Sequence, residues 1–219
     1  MDKAPSSAKW FRLAGLIAIL AALTGVVADT CLLYSAEGGY ETGDFAFMGD
    51  ISWSRLQWGH YLGILVIPFE ALGILLVYRG LQPAGHKIAL GALFLGIWIM
   101  FPGVAFHGAC YALRIPADMG GGAGTELMEI LKTFVNPLGA VFAVGFFVLI
   151  AVFAVKVWQG KSLFPRQVLL FSPLLTYPLW ILSYFAFPPL GNFLLPAGFN
   201  LSMAIFFAAM ILLPEKDPQ

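Results

Sequence analysis

The sequence predicts an all-α, polytopic transmembrane bundle of six helices, several of them proline-kinked. Three observations carry this: an apolar composition, six long apolar stretches, and an asymmetric placement of Lys and Arg. Of the 219 residues, 60% are hydrophobic and 11% charged, and the mean hydropathy is +0.85. Soluble domains carry about 25% charged residues, so most of this chain's surface must face lipid rather than water. A span consumes roughly 20 residues. Stretches at about 11–34, 59–79, 87–113, 130–156, 166–189 and 192–213 meet that length. The short connections leave no room for a separate soluble domain, so residues 1–219 read as one membrane domain.

Each break carries turn or charge signals. They are Glu37-Gly38-Gly39, Gln82-Pro83-Ala84-Gly85, Gly120-Gly121-Gly122, Gln159-Gly160-Lys161 and Pro188-Pro189-Leu190-Gly191. The glycine triplet reads as a flexible outer loop. Basic residues then fix the orientation. With the N-terminus inside, Lys3, Lys9, Arg12, Arg79, Lys87, Lys156, Lys161, Arg166 and Lys216 fall on the inner side, and Arg55, Arg114 and Lys132 on the outer. Both termini are therefore expected in the cytoplasm, with the chain in the plasma (inner) membrane. The acidic residues Glu37, Glu41, Asp44, Asp50, Asp118, Glu126 and Glu129 gather on the outer side. A rival reading takes residues 3–28, ending in Val26-Val27-Ala28, as a cleaved signal peptide, which would leave five spans. The net charge of zero and the absence of a basic run point away from nucleic acid.

Ionisable groups inside spans are costly and mark function by default. In the first span Ala18, Ala22, Gly25 and Asp29 share a small-residue face, which turns Asp29 into the bundle. Gly63, Glu70 and Gly73 share a face of the second span, and Gly96, Gly103, His107 and Cys110 one of the third. Asn136 aligns with Ala140 and Ala143, Asn200 with Ala204 and Ala208, and Tyr177 with Trp180 and Tyr184. At about 1.5 Å of rise per residue, Glu70 lies near mid-membrane and the others converge in the outer half. Pro68, Pro102, Pro137, Pro173, Pro178 and Pro196 fall within or near the ends of five spans. Prolines free backbone carbonyls, which in lipid need buried or hydrated partners, so a cavity open toward the outer side is expected.

Glu70, His107 and Asp29 are the candidate catalytic residues. A carboxyl at mid-membrane can serve as general acid, proton carrier or hydrogen-bond anchor, and Asp29 would set the charge of His107. Asn136, Asn200, Tyr177, Trp180 and His60 are the candidate substrate-binding residues. Each has a structural alternative: a carboxyl bonded to freed carbonyls, or a satisfied buried histidine. Trp53, Trp58, Tyr61 and Tyr111 read as interfacial aromatics. No metal site is assigned, since His60, His107, Asp29 and Glu70 lack a ligand spacing. His60 and His107 raise b-haem ligation, but His60 lies about 80° from the Glu70 face at 100° per residue, which argues against it. No cofactor is required by the sequence. Cys31 and Cys110 form neither a CxxC pair nor a disulfide framework.

Gly63, Pro68-Phe69, Gly73, Tyr78-Arg79-Gly80-Leu81, Phe106-His107, Pro188-Pro189-Leu190 and Pro196-Ala197-Gly198-Phe199-Asn200-Leu201 together resemble an uncharacterised bacterial family of small polytopic membrane proteins. The resemblance covers four of the six spans and implies no activity. The function expected from the residues is an enzyme or binder acting by acid/base chemistry on a lipid-like or isoprenoid small molecule in the outer-half cavity. The partners would then be membrane lipids and that molecule; oligomeric state is not readable. The alternatives are a proton-coupled small-solute transporter with Glu70 as carrier, a b-haem electron-transfer protein, and an assembly partner whose polar residues hold helices together.

Overall fold

The computed structural model describes residues 6–40, 43 and 45–215. Lys3, Lys216, Glu41 and Asp44, which enter the charge pattern, lie outside the described residues. Seven α-helices follow in order: α1 (Ser6–Leu33), α2 (Trp53–Gly80), α3 (His86–Cys110), α4 (Arg114–Met119), α5 (Gly121–Trp158), α6 (Pro173–Ala186) and α7 (Pro188–Leu212). Among the described residues, six helical segments are long and apolar enough to cross a membrane. Five are α1, α2, α3 with α4, α5 and α7. The sixth joins a 3-10 turn at Arg166–Phe171 to the short α6.

The helices pack as a ring in chain order. α1 lies against α2 and α7, α2 against α3, α3 against α5, and α6 against α7, while α5 and α6 touch only lightly. Antiparallel succession brings the starts of α1 and α3 and the ends of α2, α5 and α7 to one end, called here the terminal end. There the Arg79 guanidinium lies 4.8 Å over the Phe11 ring and Arg79 Nη2 is 2.8 Å from Glu215 Oε2. The bundle interior toward this end is solid. Phe146, Phe153, Phe206, Phe207, Ile74 and Val77 are fully buried in one cluster. Phe164, from the connection before α6, fills the notch left by Gly80, where a β-carbon would sit 2.6 Å from its ring.

The opposite, far end is capped by the chain between α1 and α2. Phe45, Phe47, Met48 and Ile51 from this segment bury themselves against Leu32, Leu56, Cys110, Leu113 and Met128. Two arginines tie it down. Arg55 donates to the carbonyls of Thr30 (2.7 Å) and Tyr34 at the end of α1, where unpaired carbonyls and the helix dipole favour a cation. Arg114 donates to the carbonyls of Met48 (2.9 Å) and Ile51, and its Nε lies 2.6 Å from Asp118. Lys132, the third far-end cation, pairs with Glu129 at 2.9 Å. Hydrogen bonds to charged groups contribute about 1.5–3 kcal/mol. Arg55→Ala is therefore expected to lower stability by about that amount in a thermal-unfolding assay in detergent, while Arg55→Lys retains part of it.

Three element boundaries differ from the sequence reading, for related reasons. α2 begins at Trp53, with Ser52 as N-cap accepting from the Arg55 N–H at 3.4 Å, and α5 begins at Gly121. Hydropathy marks the lipid-facing length, but backbone hydrogen bonding carries both helices on through polar residues such as Glu126 and Glu129. The glycine triplet is accordingly no loop. Gly120 (φ +58°) and Gly121 (φ +61°) make a tight turn between α4 and α5 in the left-handed region that glycine adopts without strain. Pro188 and Pro189 open α7 rather than separating two spans, and Phe187 alone lies between α6 and α7. Proline is well placed there because the first helical N–H groups have no partner within the helix.

Candidate functional site

Two notches in the bundle seat its buried polar groups. A β-carbon on Gly25 of α1 would lie 2.6 Å from the Asn200 amide nitrogen, and one on Gly63 of α2 only 2.1 Å from His107 Nδ1. The absent side chains give α7 and α3 room to bring these residues to the bundle centre. There Asp29 accepts from both. His107 Nε2 is 3.1 Å from Oδ1, and Asn200 Nδ2 is 2.8 Å from Oδ2. Asp29, Asn200 and His107 are no more than 6% exposed. With Nε2 directed at the carboxylate, the ring's other nitrogen, Nδ1, is buried without a hydrogen-bond partner. Overpacking a tight contact costs typically about 1–3 kcal/mol. Gly25→Ala is expected to cost that much and, because it displaces Asn200, to loosen Asp29 as well; a thermal-unfolding shift of wild-type size would contradict this packing.

Below this triad lies a cavity of about 140 Å³. Asp29, Glu70, His107, Tyr177 and Asn200 reach it from five helices, and the sixth spanning helix, α5, contributes Gly139, Phe142 and Ala143. Phe106 and Phe199 add aromatic walls, and Tyr40 lines it from the far-end cap. Burial pushes the Tyr40 phenol above its ordinary range, reinforced by Tyr177 and Asp29. The group therefore stays a hydrogen-bond donor at any physiological pH. Glu70 is 3% exposed, makes no hydrogen bond or ion pair among the described residues, and its Oε1 is buried without a partner. Buried polar atoms are nearly always hydrogen-bonded. An orphaned carboxyl oxygen in a cavity of this size marks a place for a ligand group or water.

The sequence candidates separate into two groups. Asp29, Glu70, His107, Tyr177 and Asn200 all line the cavity, and Asp29 meets His107 as expected; Glu70 and His107 share the cavity without bonding to each other. Asn136, Trp180 and His60 do not line it. Asn136 is exposed on α5. Trp180 turns to α7, where its Nε1 donates to Ser202 Oγ at 2.9 Å and its ring fills the Gly198 notch. His60 sits beside Tyr61 and Tyr111, with Nδ1 3.3 Å from the His107 carbonyl. Among the described residues, no group of three or more His, Cys, Asp or Glu is placed to hold a metal ion. Of the aromatic lining, Tyr177 was a sequence candidate and Phe106 and Phe199 stand in the motifs of the family resemblance, while Phe142 and Tyr40 were not singled out. Nothing in the residues around Tyr40 marks it.

Fold and site together define a multi-pass, membrane-embedded helical protein with a buried carboxylate–imidazole–carboxamide triad above a small cavity. The sequence matches the family of unknown function DUF6796 over residues 2–217, so the chain belongs to that family. No curated protein and no solved structure matches it.

Proposed function

We propose that the cavity binds a lipid-like or isoprenoid small molecule and that Glu70 exchanges a proton with it. The observation that carries this reading is the orphaned Glu70 Oε1 in an aromatic-walled cavity. A ligand with an apolar body and one hydrogen-bonding group satisfies both features. Asp29 acts as the anchor. By accepting from His107 and Asn200 at once, it holds their rotamers, which fixes the polar rim of the site before a ligand arrives. Tyr177 and Tyr40 offer phenol groups at the same wall. The proton-coupled transporter is disfavoured because a transported solute must also leave at the terminal end. There the interior is filled by Phe146, Phe153, Phe206 and Phe207.

The test is ligand binding or turnover by purified Glu70→Gln and His107→Ala variants. Both are expected to insert and purify normally and to lose at least tenfold in binding. Full activity in both would refute the assignment.

The membrane placement belongs to the same proposal: the plasma (inner) membrane, with both termini cytoplasmic. The far-end cations Arg55, Arg114 and Lys132 support it, since each is engaged in local bonds. Lys9, Arg12, Arg79, Lys87, Lys156, Lys161 and Arg166 occupy the terminal end. A C-terminal green fluorescent protein fusion in bacterial cells is expected to fluoresce and an alkaline phosphatase fusion to be inactive; the reverse pattern would invert the topology.

A further inference from the structure

A cavity of about 140 Å³ is too small to enclose a lipid-like molecule. An engineered protein cavity of about 150 Å³ holds a benzene ring. The bound part can then be no more than a head of one-ring size, and an apolar remainder must leave the cavity somewhere. Toward the terminal end lies the buried aromatic core, and at the far end Tyr40 of the cap forms part of the wall. The ring of helices has one loose seam, between α5 and α6.

The seam's geometry can be followed along each helix. α5 meets α6 where the Phe147 and Tyr177 rings lie 5.9 Å apart. From Phe147 toward the far end, the same stripe of α5 runs through Ala143, Ala140 and Asn136 at helical spacing. Ala143 lines the cavity, yet Ala140 and Asn136 are exposed. On α6 the stripe beyond Tyr177 continues through Ile181 (38% exposed) and Phe185 (74% exposed). Trp180 is turned instead to α7, bonded to Ser202 and seated in the Gly198 notch. Beyond the Phe147–Tyr177 contact, Ala140, Asn136, Ile181 and Phe185 on the two stripes are therefore all exposed, beside few contacts between the helices.

We infer that this α5–α6 seam is a lateral portal through which the hydrocarbon tail of a cavity-bound amphiphile lies in the membrane, its small ring-shaped head seated between Phe106, Phe142 and Phe199. The inference rests on the reading of the cavity as a binding site. Aromatic walls stack favourably on a planar ring, and the exposed Asn136 gives the portal a polar group at its far-end edge.

The test uses tritiated phenol, a head alone, and 4-nonylphenol, the same head with a tail, bound to the protein in lipid nanodiscs. Ala140→Trp places a bulky ring in the seam at a position outside the cavity lining; Ile181→Trp does so from α6, and Phe94→Trp, at an exposed position of α3, is the control. Ala140→Trp or Ile181→Trp is expected to raise the Kd of 4-nonylphenol at least tenfold while changing that of phenol less than twofold, with Phe94→Trp altering neither. Unchanged 4-nonylphenol binding in both seam variants overturns the portal, as does an equal loss of both probes. Failure of phenol to bind the wild-type protein overturns the cavity reading itself, and the portal with it.

Discussion

Replacing Asp29 with alanine is expected to lower stability by about 3–6 kcal/mol, the loss of two buried hydrogen bonds to a carboxylate at about 1.5–3 kcal/mol each. The size follows from what the change leaves behind. Asp29 accepts from His107 at 3.1 Å and from Asn200 at 2.8 Å, and all three are buried. Two donors on different helices would lose their acceptor together. Asp29→Asn keeps the shape and one carbonyl acceptor, so a smaller loss is expected. Because His107 and Asn200 share one acceptor, the double variant His107→Ala/Asn200→Ala is expected to cost less than the sum of its single changes. Thermal unfolding in detergent reads all of these. A wild-type melting temperature for Asp29→Ala would show that the triad contributes little to holding α1, α3 and α7 together.

Glu70 should behave in the opposite manner. It is as deeply buried as Asp29, but it makes no hydrogen bond or ion pair among the described residues. Replacing an unpaired buried polar group by an apolar one of similar size is neutral or stabilising. Glu70→Met is therefore expected to keep or raise the unfolding temperature. If Oε1 meets a ligand group, the same substitution removes a hydrogen bond worth about 1.5–3 kcal/mol, which weakens binding roughly 10- to 100-fold. A gain in stability with a loss of binding is the mark of a group retained for function. A loss of stability with unchanged binding would make Glu70 a structural carboxyl instead.

The bundle and the inner members of the site were legible for one physical reason: lipid forces both. A span must be long and apolar, and a polar residue on a small-residue face must turn inward, so Asp29, Glu70, His107 and Asn200 follow from spacing alone. The glycines that seat them, Gly25 and Gly63, lay on the same stripes. Asn136 satisfied the same spacing rule but lies exposed, because the rule assumes that a helix neighbour covers every small-residue face. That face of α5 is left uncovered, with Asn136 and Ala140 both exposed. Trp180 was placed by a notch on another helix, Gly198, which no pattern within α6 reveals. Tyr40 comes from a connection whose fold depends on Phe45, Phe47 and Met48 burying themselves, a tertiary event with no local periodicity.

The central claim is that the cavity beneath the Asp29 triad is a binding site for a small amphiphile. The most direct measurement is unbiased mass spectrometry of small molecules retained by the purified wild-type protein, compared with Glu70→Gln and with Ala143→Phe, which fills the cavity from α5. An amphiphile retained by the wild type and missing from both variants is the expected result. Identical small-molecule spectra from all three proteins would contradict it.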